Sequence, residues 1–128
     1  MRFSLPLILA FFMATPLQAT QPTRVMVGKP DENNEQAFID IHRPLNPNGT
    51  SIIICPGGGY GTVVSGPEGD KIAVWLGEHG ITGIVLHYRL PQGRNNVPLT
   101  DAQSAMKHLR KHANGLHLDT NKIGVMGF

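Results

Sequence analysis

Three consecutive glycines, Gly57, Gly58 and Gly59, sit between Pro56 and Tyr60 in a chain of 128 residues. Such a run costs the folded state much chain entropy, so it marks a loop that needs positive φ or a close approach of backbone to something else. The loop follows a continuous apolar run at 51–55 and precedes a helical pattern, which puts it at the carboxyl end of a strand, where open α/β sheets place their ligands. Two chemistries suit glycine there. Backbone N–H groups can hold a phosphate at a helix N-terminus, or they can point at the negative oxygen that develops when an acyl carbonyl is attacked. A tight turn without chemistry is the third reading. The phosphate reading lacks its usual companions: the spacing is not G-x-G-x-x-G, no Gly-Lys-Ser/Thr follows, and the next strand ends in His87-Tyr88-Arg89 rather than in an acidic residue.

Six histidines and one cysteine invite other chemistry. His108 and His112 have the i, i+4 spacing of a helical metal pair, but Leu109 stands where such motifs carry glutamate and no third ligand is evident, so no metal is expected. His87 ends a buried strand and is assigned to packing; His42, His79 and His117 carry no motif. Cys55 reads as a small buried apolar residue, since no basic partner is in sight to lower its pKa.

These residues are placed by a regular alternation of elements. Residues 24–28 and 37–42 are short strand candidates that can pair antiparallel across a polar turn. The run at 51–55, Ser51-Ile52-Ile53-Ile54-Cys55, suits a parallel strand buried on both faces. A helix is predicted over 68–79, with Gly80 as its stop, and a strand over 84–87. A second helix is predicted over 100–114, with Thr100 and Gln103 at capping-box spacing and Gly115 as its stop. A third apolar strand covers 123–126 and runs into Gly127-Phe128. Strand–helix alternation with short connections implies right-handed crossovers and a mostly parallel sheet, hence the α/β class with an antiparallel N-terminal edge.

Composition narrows the partners. A hydrophobic fraction of 41% with 16% charged residues belongs to a chain with a core, and a net charge of +2 is far from a nucleic-acid footprint. The one basic cluster, Lys107, His108, Arg110, Lys111 and His112, has helical spacing and reads as a solvated face. Residues 1–19 read as a secretory signal peptide, with Arg2 as its positive start, an apolar run too short to span a bilayer, and Ala19 at the cleavage position. A secreted or periplasmic location without stable membrane insertion follows, and the lone cysteine excludes an internal disulfide. Residues 20–128 remain as a single, incomplete α/β domain of open oligomeric state.

With its Gly-Gly-Gly-aromatic loop, a strand ending in Tyr88-Arg89-Leu90-Pro91 and a strand entering Gly127-Phe128, the chain resembles the lipase/esterase branch of the α/β-hydrolases. More narrowly, it is similar to secreted bacterial carbohydrate esterases of the acetyl-xylan and feruloyl type, over residues 49–128. The resemblance implies the N-terminal part of an α/β-hydrolase fold, no cofactor, and an ester substrate, small or polysaccharide. In such enzymes the nucleophile is the serine of G-x-S-x-G, followed later in the chain by the acid and histidine. Gly127-Phe128 supplies the first two positions of that turn, so the resemblance implies a chain that stops before its serine and does not itself turn over esters. Pro56 stands where these enzymes carry the histidine of His-Gly-Gly-Gly, and Gly58 and Gly59 are the implied oxyanion donors. Tyr60 becomes the wall of an acyl or sugar pocket, while Tyr88 and Arg89 are placed to support the glycine loop. Asp101 precedes the serine position and falls in the predicted first helical turn, where a carboxylate meets the helix dipole. A nucleotide- or phosphate-binding module and a truncated product without function are the alternatives.

Overall fold

The computed structural model describes residues 21–94 and 96–128; the predicted leader at 1–19 lies outside them. Five strands form one sheet: β1 (Thr23–Met26), β2 (Phe38–His42), β3 (Ser51–Cys55), β4 (Thr82–His87) and β5 (Ile123–Gly127), in the order β1-β2-β4-β3-β5. The first two strands pair antiparallel, β2 joins β4 antiparallel, and β3 lies parallel between β4 and β5. The antiparallel edge and the parallel centre expected from the pattern are both present.

The isoleucine run of β3 explains its central place. Ile53 points to the larger core with Ile84, Leu86, Ala105 and Leu109, while its neighbour Ile54 points to the opposite face with Ala73, Leu76 and Val85. A strand that must be apolar on both faces is one with helices on both sides. Those helices are α1 (Lys71–Glu78) on the smaller-core face and α2 (Val97–Lys111) with α3 (Ala113–Leu116) on the other. Among the described residues no helix is long and apolar enough to cross a membrane.

Boundaries differ from the sequence pattern where turns intervene. The first helix begins with a π-helical turn, Gly66–Asp70, that carries Pro67 in its first positions, where a missing N–H costs nothing. Gly80 ends α1 with φ +73° as expected. The second helix starts at Val97 rather than 100, again with a proline, Pro98, in the first turn. The capping box is therefore absent: the Thr100 hydroxyl instead donates to the Asn96 carbonyl at 2.8 Å. Its end also comes earlier, at Lys111, with α3 as a separate turn closed by His117 in the left-handed conformation, so Gly115 is no stop. Val125 of β5 and Phe128 just past it are 61% and 58% exposed.

The sheet and α1 meet at unusually short range. A Cβ on Gly83 of β4 would stand 2.6 Å from both Cα and Cβ of Ala73 in α1. Gly83→Ala should therefore lower stability by about 1–3 kcal/mol through overpacking. Urea denaturation of the two chains side by side measures this, and an unchanged midpoint would show that α1 slides freely on the sheet.

Candidate active site

The carboxyl ends of β3 and β5 lie together. Cys55 is in register with Gly127, and the Phe128 N–H reaches the Cys55 carbonyl at 3.3 Å. The glycine loop leaves β3 at this point and borders a cavity of about 370 Å³, whose other walls include Tyr60, Tyr88, Leu99, Ala102 and Phe128. Gly58, Gly59 and Tyr60 follow one another at φ +135°, +59° and +58°. A Cβ at Gly58 would collide with the Thr62 carbonyl, whereas one at Gly59 would meet nothing within 4 Å. Gly57 has a different constraint: its Cβ would stand 2.9 Å from Glu68 Oε2 and 3.0 Å from the Phe128 carbonyl.

The loop is held peptide by peptide. A peptide unit is planar and trans, so its C=O and N–H point in opposite directions, and fixing one aims the other. In the unit joining Pro56 to Gly57, the Tyr88 hydroxyl donates to the Pro56 carbonyl at 2.6 Å and the Gly57 N–H donates to Glu68 Oε2 at 2.8 Å. In the next unit the Gly57 carbonyl accepts from the Val64 N–H at 3.0 Å, and in the one after it the Gly58 carbonyl accepts from the Gly61 N–H at 3.1 Å. The N–H ends of these last two units belong to Gly58 and Gly59, and neither donates to any partner among the described residues.

Burial pushes the Tyr88 phenol above its ordinary value, so it keeps the proton it donates. Burial likewise raises the Cys55 thiol, which argues against a thiolate nucleophile. The Gly57 amide, which a phosphate-binding loop would offer to its anion, is already taken by a carboxylate.

Tyr88 supports the loop as its position suggested; Arg89 does not. Its guanidinium donates to buried Asp101 at 2.6 Å and 3.1 Å, and its backbone N–H donates to the same carboxylate at 2.9 Å. Asp101 lies in the second turn of α2 rather than the first, and its role is to fasten the end of β4 to α2, not to meet the helix dipole. A third group joins from the polar turn after β1, where Asp31 Oδ2 lies 4.0 Å from Arg89 and 3.7 Å from Arg94.

The histidines stay away from the loop's chemistry. His87 stacks on Phe38 with ring centroids 4.2 Å apart, and its Nε2 lies 3.1 Å from Asp40 but outside hydrogen-bonding geometry. Arg24 holds Asp40 through two bonds of 2.8 Å and keeps that carboxyl below its usual range. His108 and His112 lie with ring centroids 4.4 Å apart and tilted by 33°, and among the described residues no three His, Cys, Asp or Glu side chains come together to hold a metal. Glu68 is the site residue that sequence reasoning missed. Its only signal was an acidic residue at the start of the helix that follows the loop.

No protein-family model matches the chain. An acetylxylan esterase from Xylanibacter ruminicola is 31% identical over 116 residues, covering 91% of this chain and 24% of that enzyme. The acetyl ester-xyloside bifunctional hydrolase of Caldicellulosiruptor lactoaceticus superposes with a TM-score of 0.70 at 28% identity, over 81% of this chain and 42% of its own. The chain has an esterase-like α/β-hydrolase fold. Esterase 2 of Thermogutta terrifontis, at 22% identity and a TM-score of 0.72, has the same fold over 88% of this chain. The chain spans about a quarter of the length of the acetylxylan esterase and about two fifths of the structures it matches.

Asp101→Ala should cost about 3 kcal/mol, because it removes a buried carboxylate and leaves the half-buried Arg89 only the more distant Asp31. Chemical denaturation checks this, and a loss under about 1 kcal/mol would mean that the pair is solvated, as exposed pairs are. His87 gives a pH dependence. Burial, opposed by Asp40, lowers its pKa, so the folded state favours the neutral ring and the unfolded chain takes up the proton first. Stability should be full above the ordinary value of about 6.5 and decline as pH falls from there toward the lower folded value. His87→Phe keeps the stack and should flatten part of that decline in melting temperature, while His108, also lowered by burial, retains its share.

Proposed function

We propose that the Gly58 and Gly59 amides form part of the oxyanion hole of a serine esterase that acts on acetyl or feruloyl groups of plant polysaccharide, after export directed by residues 1–19. The observation that carries this is the pair of N–H groups aimed by pinned carbonyls and left without a partner among the described residues at the edge of a cavity. Donors fixed before the reaction stabilise a developing negative oxygen without the cost of reorganising. The similarity to an acetylxylan esterase and to an acetyl ester-xyloside hydrolase supports the acetyl part of that substrate class.

In the reaction, a serine hydroxyl attacks the ester carbonyl and a histidine takes its proton. The carbonyl oxygen becomes an oxyanion facing Gly58 and Gly59, the alcohol leaves with the proton, and water then releases the acyl group. The reading requires the serine directly after Gly127-Phe128, where β5 ends beside the loop. Tyr60, 64% exposed beyond the glycines, serves as a wall for the acyl or sugar part.

Replacing the matching stretch of the Xylanibacter acetylxylan esterase by residues 21–128 of this chain tests the reading. The hybrid should release acetate from acetylated xylan. Gly58→Ala in it should lower kcat about a hundredfold, the loss typical of one oxyanion donor, since its Cβ meets the Thr62 carbonyl. Gly59→Ala, with open space for its Cβ, should cost far less. A folded hybrid without activity, or equal effects of the two substitutions, would sink the proposal.

A further inference from the structure

We infer that Glu68 is a positioning residue: together with Tyr88 it clamps the Pro56–Gly57 peptide at both ends and so sets the direction of the Gly58 and Gly59 N–H groups. This rests on the esterase reading for its purpose, but not for its geometry. The clamp takes one side chain from each flank of the loop, Tyr88 from just past β4 and Glu68 from the π-helical turn. A bond from Tyr88 alone leaves the peptide free to rotate about the oxygen it holds. The second bond, at the opposite end of the plane, removes that freedom. The carboxylate also makes this a charge-assisted bond, about twice as strong as one between neutral groups.

The same turn holds the loop a second time. The Glu68 N–H reaches the Val64 carbonyl at 3.3 Å, while the Val64 N–H holds the Gly57 carbonyl at 3.0 Å. Glu68 therefore acts on the first peptide through its side chain and is linked to the second through backbone. Its acceptor oxygen lies so near Gly57 that any side chain there would displace it, which explains why the first glycine is glycine although its φ is not positive. Glu68 touches neither donor of the oxyanion hole, and its effect runs through Gly57.

Two measurements test this. In the 128-residue chain, labelled with ¹⁵N, residual dipolar couplings report the directions of the Gly58 and Gly59 N–H vectors. Glu68→Ala should change both couplings, leave those of β3 and β4 in place, and speed exchange of the Gly57 amide about tenfold, the worth of one lost bond. Glu68→Gln, which keeps an acceptor oxygen, should restore most of the wild-type couplings. If Glu68→Ala unfolds the chain, Tyr88→Phe, which removes the other end of the clamp, should shift the same two couplings. Unchanged couplings in the folded variants would overturn the inference whatever the esterase assay gives. In the hybrid esterase, Glu68→Ala should lower kcat about tenfold with KM nearly constant, as expected when an interaction made only in the transition state is lost. Glu68→Gln should recover most of that. An inactive parent hybrid would count against the esterase reading alone; shifted couplings with an unchanged kcat would overturn the catalytic purpose of the clamp.

Discussion

A peptide group cannot turn its carbonyl without turning its amide, and the loop after β3 is organised around that rigidity. Three successive units have their carbonyls fixed, by Tyr88, by Val64 and by Gly61. The first unit has its amide fixed as well, by Glu68, so among the described residues the amides of the next two have no partner. The glycines supply the torsions that make this path possible, and the surrounding side chains decide which of the many paths open to glycine is taken. Glycine alone would give a floppy loop; glycine under four restraints gives a fixed one.

Those restraints depend on the sheet beneath them. Tyr88 is aimed because β4 is fastened at its carboxyl end, where Arg89 closes three bonds on Asp101 of α2. Glu68 is aimed because the π-helical turn packs tightly on the sheet: a Cβ on Gly69 would stand 2.7 Å from Val85. The loop is thus anchored to both layers of helices, through β4 and α2 on one side and the turn before α1 on the other. The sheet order brings β3 between β4 and β5, so the residues that hold the loop and the strand end that faces it sit at one rim.

Much of this arrangement was legible in the residues. The isoleucine run predicted β3 at its observed limits, because a strand buried on both faces has no polar position to blur its pattern. The glycine loop was legible because glycine in series has few other uses, and Tyr88 because of its place past a strand end. Helix starts were less legible: Pro67 and Pro98 look like breakers in a list of residues, yet in a first turn they are tolerated, and both helical segments begin earlier than the apolar periodicity suggests. Asp101 was assigned to a helix dipole for the same reason, since a start misplaced by three residues put it in the wrong turn. Beyond its place at the start of a helix, Glu68 left little trace because its bond is to backbone, and a backbone amide leaves no mark on the residue that donates it.

The open side of Gly59 has a further meaning. The pinned peptides fix where the Gly58 and Gly59 amides point, but they contribute no walls above them. The shape of the space there is left to side chains such as Tyr60 and Leu99, which are 64% and 59% exposed and carry no restraint of the loop. On the proposed esterase reading, selectivity and reactivity are thereby divided between separate sets of atoms. On that reading, rim residues can be exchanged without disturbing the restraints underneath.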